Sequence, residues 1–254
     1  MKKQTQYIVR EALTRRFNKG RGNDDFDWKH YNTHYRGELE DIAKTHVEIL
    51  QAADYSFDEP MLTSHRTERP LHPNHHLLYE SILQLAPRSV LEAGCGGGDH
   101  LHNLNILAPQ LQLCGVDLSE AQLAFLHERH PGLDATIQQR DLTLPNPIDA
   151  QPVDLAYTQA VLMHIRTGNG HLVALANLFS SATKQVLLME NWTRNDYLDD
   201  IRILRKKNII AWQSMYFYYR VSRETTNTRL MIVSATPLPM YPPLTSYSLL
   251  TSER

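Results

Sequence analysis

A chain of 254 residues is long enough for one large domain with a complete core, and its 26 Lys and Arg against 28 Asp and Glu leave a net charge of −2. That balance supplies no global drive toward nucleic acid or an anionic membrane, so either partner would need a local patch. Hydrophobic content of 42% with 21% charged residues excludes a wholly disordered chain, and two cysteines, Cys95 and Cys114, exclude a disulfide framework or a four-cysteine zinc site. No apolar run approaches the ~20 residues of a membrane span. The start, Met1-Lys2-Lys3, has the positive charge of a secretory signal, but Arg10, Glu11, Arg15 and Arg16 follow where its apolar core should be. The expectation is a cytoplasmic protein.

Three regions follow in chain order. Residues 1–74 read as an N-terminal helical and irregular region. One helix is predicted over 37–53, where Leu39, Ile42, Ala43, Val47, Ile49 and Leu50 recur at helical spacing, and Pro60, Pro70 and Pro73 mark an irregular connection after it. Residues 75–235 alternate helix and strand: helices over 75–85, 99–107, 119–128, 170–179 and 195–207, and strands over 89–93, 111–116, 135–139, 153–157 and 186–189. Ser119 suits an N-cap, with Gln122 at the capping-box position. Strands apolar on both faces, alternating with helices, predict an α/β fold with a mostly parallel sheet covered on both sides. Strands over 209–221 and 229–235 are separated by too few residues for a helical crossover, so they should form an antiparallel hairpin closing the sheet. Residues 236–254 read as a Pro-rich tail extended on the surface.

The sharpest local signal is Leu91-Glu92-Ala93-Gly94-Cys95-Gly96-Gly97-Gly98, where a strand hands over to a helix. Glycines there let the backbone turn tightly and approach a ligand. A dinucleotide fingerprint would want its third glycine at Asp99, a carboxylate unsuited to a pyrophosphate, and no Lys-Ser or Lys-Thr follows to make a P-loop. Glu92 ends an apolar strand. Burying an acid there costs several kcal/mol (about 3–5) unless it is paired, which calls for a cationic or amine-bearing partner.

These residues resemble the first motif of the class I S-adenosylmethionine-dependent methyltransferases, an acid followed by Gly-x-Gly-x-Gly. Asp117 in Gly115-Val116-Asp117 ends the next strand, 25 residues after Glu92, and Asp141 follows 24 residues later. The resemblance covers about 75–235 and implies a Rossmann-like seven-stranded sheet with its C-terminal antiparallel hairpin. It also implies S-adenosylmethionine as cofactor: Glu92 for the methionine amino group, Gly94 and Gly96 for backbone approach, Asp117 for the ribose hydroxyls and Asp141 for the adenine amino group. Leu118, Leu142 and Gln159 complete the expected cofactor set. The implied function is methylation of a small-molecule or glycan-like acceptor, most simply at oxygen. Residues 1–74 are the expected lid and acceptor region, with Tyr31 and Tyr35 folding over the cofactor.

Competing assignments stay open at this point. The bland readings are a structural acid at Glu92, a helix N-cap at Asp117 and a turn residue at Asp141. His164, after the fourth parallel strand, is a candidate base for a hydroxyl acceptor or a structural histidine. Glu190-Asn191 resembles the oxygen ligands of metal-assisted O-methyltransferases, but Tyr157-Thr158-Gln159 stands where those need a carboxylate, so no metal is expected. Cys95 is expected to pack rather than react. His72, His75, His76, His100 and His102 lack zinc-ligand spacing and read as solvated or pocket-lining. Arg202, Arg205, Lys206 and Lys207 read as a solvated helix face, which disfavours nucleic acid. The alternatives to a methyltransferase are an NAD-dependent oxidoreductase, a nucleic-acid methyltransferase and a catalytically silent binding protein.

Overall fold

The computed structural model describes residues 48–66, 70–145, 152–166, 168–192, 195–221, 228–239 and 252–253. A hairpin of β1 (Tyr55–Asp58) and β2 (Met61–Ser64) comes first. There follow α1 (Pro73–Leu85), β3 (Ser89–Ala93), α2 (Asp99–Leu107), β4 (Gln112–Asp117), α3 (Glu120–Arg129) and β5 (Ala135–Gln139). After these come β6 (Val153–Gln159), α4 (Gly170–Ser181), β7 (Ala182–Asn191) and α5 (Tyr197–Lys206), then β8 (Met215–Val221), β9 (Thr228–Ser234) and β10 (Ser252–Glu253). The predicted α/β alternation is present.

The main sheet runs β10-β8-β9-β7-β6-β3-β4-β5. Strands β3 to β7 pair in parallel, while β9 runs antiparallel to both β7 and β8, which is the expected closing hairpin. From β3 the chain winds outward through β4 and β5, then returns to lay β6 on the other side of β3. That reversal leaves a crevice at the carboxyl ends of β3 and β6, the place where open α/β sheets take ligands.

Alternation along each strand feeds two cores. Val90 of β3 joins the first core with Leu78, Tyr79 and Ile82 of α1, Leu101 and Leu104 of α2, and Leu126 of α3. Its neighbours Leu91 and Ala93 join the second with Leu175 and Leu178 of α4 and Ile201 and Leu204 of α5. So α1 to α3 cover one face of the sheet and α4 and α5 the other. Among the described residues no helix is long and apolar enough to cross a membrane.

Four expectations need correction. Most of the helix predicted over 37–53 lies outside the described residues, as do Tyr31 and Tyr35, but 48–53 are not helical. There Leu50 is buried in the first core, and its amide donates to Asn103 Oδ1 at 2.9 Å, a tertiary anchor that replaces a helical bond. The supposed irregular connection holds the β1–β2 hairpin. Leu62 and Tyr55 point into the core, and the Tyr55 hydroxyl accepts from the Leu71 amide at 2.8 Å. The N-terminal extension is therefore not helical in its described part. The strand predicted from 209 starts only at Met215, because Asn208 turns left-handed (φ 57°) and the Ile209 amide folds back to the Leu204 carbonyl at 2.9 Å, capping α5. Finally, the tail is not wholly a surface extension, since Ser252 and Glu253 pair with Tyr216 and Met215.

Leu78 lies at the centre of the first core with no exposed surface. Leu78→Ala is expected to cost about 2–5 kcal/mol, seen as a lower urea midpoint at unchanged slope.

Candidate active site

The glycine loop is held by the backbone of the next strand: the amides of Gly94 and Cys95 both donate to the Val116 carbonyl, at 2.7 and 3.0 Å. Gly94 (φ 84°) could not carry a side chain, since a Cβ there would lie 2.4 Å from Val161 Cγ2. Gly96 (φ 50°) differs. A Cβ on it would meet only Gln122 Oε1, at 3.8 Å, so this part of the loop presents bare backbone to open space. The Gly96 amide donates to Asp117 Oδ2 at 2.8 Å, and Asp117 Oδ1 accepts from the Ser119 amide at 2.8 Å. Asp117 thus staples the loop to the end of β4, and each of its oxygens keeps a second lone pair for a ligand hydroxyl. Burial pushes its carboxyl up, against these amide bonds. The N-cap of α3 is Ser119, as expected, accepting from the Gln122 amide at 3.3 Å. Cys95 is buried, and burial with the nearby Glu92 and Asp117 charges pushes its thiol well up, which suits packing and not nucleophilic attack.

Glu92 is only 1% exposed, and its Oε2 has no hydrogen-bond partner. Burial pushes its carboxyl well above the usual range. Tyr157, its neighbour across the β3–β6 pair, works against that shift through its hydroxyl, while the Asp117 and Asp99 charges add to it. A ligand ammonium at Oε2 would oppose the shift by stabilising the charged form. This orphaned oxygen at the head of a bare-backbone loop fits the amino-acid end of the expected cofactor.

The carboxyl ends of β3, β4 and β6 are adjacent in the sheet, which brings Glu92, Gly94, Gly96, Asp117 and Gln159 to one edge. Leu118, 52% exposed, follows Asp117 on the same edge. Asp141 lies one strand further out, past β5, and its Oδ1 accepts from the amide and hydroxyl of Thr143 at 2.8 and 2.7 Å. It is a turn residue with Oδ2 outside that turn. Leu142, expected in the cofactor set, turns its side chain away from the crevice. It is buried in the second core and its carbonyl accepts from Asn177 Nδ2 at 2.9 Å, so it can offer a ligand backbone only. His164 closes a short 3-10 turn, Leu162–His164, beyond β6.

Glu190 does something the sequence reading missed. Its Oε1 accepts from the amides of Val161 and Leu162 at 3.0 and 3.2 Å, and its Oε2 from the Met163 amide at 3.2 Å. It is fully buried and anchors the turn that carries His164 and presses Val161 against Gly94. Its oxygens are committed to three amides of one turn, which makes Glu190 a fastening for that turn. Among the described residues no group of three His, Cys, Asp or Glu side chains could hold a metal ion. The histidines are also not solvated as a set: His75 and His100 are buried, and His72 Nδ1 caps α1 by accepting from the Asn74 amide at 3.2 Å.

Because Glu92 prefers the protonated form in the folded protein, folding is favoured by protonation and loses stability as pH rises through the raised value. Glu92→Gln is therefore expected to raise Tm at about pH 8, with the gain shrinking toward about pH 5. The same substitution should weaken binding of S-adenosylhomocysteine about 10- to 100-fold, the worth of a hydrogen bond between charged groups, as read by isothermal titration.

Residues 90–183 match the family model described as a methyltransferase domain. A trans-aconitate 2-methyltransferase of Paracidovorax citrulli (strain AAC00-1) is 31% identical over 109 residues, 43% of this chain and 40% of that protein. One of Klebsiella pneumoniae (strain 342) is 32% identical over 118 residues, 45% of this chain and 44% of that protein. The chain thus aligns with less than half the length of these curated relatives. A TehB-like SAM-dependent methyltransferase from Corynebacterium glutamicum superposes with a TM-score of 0.54 at 15% identity, covering 82% of this chain and 100% of that one. Residues 90–183 are thus similar to a methyltransferase domain, and the fold that carries them is the Rossmann-like α/β fold seen in the Corynebacterium glutamicum protein.

Proposed function

We propose that the chain is a methyltransferase that uses S-adenosylmethionine to methylate a carboxylate oxygen of a small acceptor. The observation that carries this reading is the sealed Glu92 carboxylate, with Oε2 unpartnered, beside the bare backbone of Gly96. Bound S-adenosylmethionine would supply a methyl group already activated by its sulfonium. The protein then has to align donor and acceptor and exclude water.

In this reading Glu92 takes the ammonium, the second lone pairs of Asp117 take the ribose hydroxyls, and the exposed Leu118 covers one face of the adenine. Asp141 Oδ2 receives the adenine amino group. Leu142 offers backbone, and Gln159 borders the amino-acid end of the cofactor. The relatives' name points to trans-aconitate, an unsaturated tricarboxylate, and so favours a carboxylate over a glycan-like acceptor. A carboxylate is its own nucleophile once ionised, so no base is needed. His164 then orients the acceptor as a donor.

The reading predicts that S-adenosylhomocysteine binds and NAD does not in isothermal titration, and that trans-aconitate gains one methyl group by mass spectrometry. Binding of NAD alone would overturn the cofactor, and transfer only to hydroxyl or amine acceptors would overturn the acceptor class. His164→Gln is expected to lower kcat/KM by less than the ~100-fold minimum for a lost general base, with an unchanged pH profile. Loss of an acid limb from that profile would make His164 the base instead.

A further inference from the structure

α5 ends at the edge of the sheet opposite the crevice. Tyr216, early in β8, pairs with Ser234, and Ser234 pairs with Gln185 near the start of β7, so the segment leading into β8 lies at the amino ends of the parallel strands. There the left-handed turn at Asn208 folds the chain back on α5, and the Ile209 and Ile210 amides both donate to the Leu204 carbonyl, at 2.9 and 3.4 Å. Beside this hook lies an open cavity of about 610 Å3, whose lining includes Arg202, Arg205, Lys206, Asn208 and Trp212. In Arg202, Arg205 and Lys206, the cluster that reads in the sequence as a solvated helix face is thus one wall of a cavity.

Two of the lining groups are braced from behind. Arg205 Nη2 donates to the Gln213 carbonyl at 2.7 Å and its Nε to the Trp212 carbonyl at 3.4 Å. Trp212 Nε1 donates to the Phe179 carbonyl at 3.2 Å, and the indole stands at 75° to the Phe179 ring with centroids 5.0 Å apart. The indole plane is therefore set, while the half-buried residue still borders the cavity. Bonds to neutral carbonyls orient the Arg205 guanidinium and leave its charge in place. Among the described residues three cations and no acid line the cavity, in a chain whose net charge is −2. A cleft lined by one sign of charge concentrates the opposite sign. Cations in a last helical turn offset the helix dipole, which accounts for Arg205 and Lys206 as surface charges. It does not account for Arg202, nearly a turn earlier, or for a braced indole beside all three. The volume falls within the roughly 300–1,000 Å3 of small-molecule sites.

We propose that this cavity is a second ligand site, for a small polyanion built on a flat ring and represented by a nucleoside polyphosphate. The ring lies on the Trp212 indole and the anionic groups meet Arg202, Arg205 and Lys206. A planar guanidinium matches two oxygens of one phosphate, and the exposed Lys206 adds a point charge. The site shares no residue with the crevice and does not depend on the methyltransferase reading.

Isothermal titration of the full chain with ATP, tripolyphosphate and adenosine, without magnesium and with S-adenosylhomocysteine in excess, tests the site. ATP should bind about 10-fold or more tighter than either tripolyphosphate or adenosine, each of which lacks one half of the contacts. Arg202→Gln combined with Lys206→Gln should weaken ATP about 10-fold or more, and Asp117→Ala, in the crevice, should leave it unchanged, with an intact thermal transition checked in both. ATP should quench indole fluorescence in the wild type and lose most of that quenching in Trp212→Phe.

Loss of ATP binding in Asp117→Ala, or its displacement by S-adenosylhomocysteine, would put ATP in the crevice and overturn the proposal, as would undiminished binding in the double variant. Tripolyphosphate held as tightly as ATP overturns the part given to Trp212. A single-stranded oligonucleotide held more tightly than ATP through the same cations would make the wall a nucleic-acid surface and overturn the small ligand.

Discussion

Glu92 ends the strand at the centre of the winding, between β4 and β6, with a carboxylate that burial has stripped of water. An unpaired ion there would cost several kcal/mol, about 3–5, so burial favours the protonated carboxyl wherever no cation pairs with it. The arrangement around it follows from that constraint. The strand ends where Gly94 must turn left-handed, the turn exposes the Gly96 backbone, and Asp117 ties the loop to β4. A cation is the natural relief for Glu92, and bare backbone lies beside it.

Three carboxylates within this edge of the sheet have been given three tasks by their surroundings. Glu92 has an oxygen with no partner. Asp117 takes one amide on each oxygen and keeps capacity for more. Glu190 takes three amides from one turn, so it acts as a fastening for the Val161–His164 turn. All three are pushed up by burial, and their amide bonds set how far that push is resisted. Residue type alone does not separate these acids; the total of amides aimed at each one does, two at Asp117 and three at Glu190, while Glu92 Oε2 has no partner.

The parallel strands were legible because burial on both faces forces continuous apolar runs, as in Val186 to Met189, and the closing hairpin was legible from the short gap before Arg229. Glu92, Gly94, Gly96 and Asp117 were legible because backbone approach and charge leave few residue choices at those positions. Long-range contacts hid the rest. The β1–β2 hairpin depends on Tyr55 reaching Leu71 and on Leu62 entering the core, and its two strands of four residues are too short to show a period. The fastening by Glu190 joins residues 27 to 29 apart, and the bonds from Asn103 to Leu50 and Glu48 join residues 53 and 55 apart, so no local pattern announces either. The inward turn of the Leu142 side chain into the second core was likewise hidden, since no local pattern marks it.

The central claim is that Glu92 holds a proton until a cation arrives. The most direct measurement is the enthalpy of S-adenosylhomocysteine binding in buffers of different ionisation enthalpy, for the wild type and Glu92→Gln. The account predicts net proton release on binding by the wild type, greatest at pH values between the lowered pKa of Glu92 in the complex and its raised pKa in the free protein, and its absence in Glu92→Gln. A binding enthalpy independent of buffer in the wild type, or the same proton release in both proteins, would contradict it.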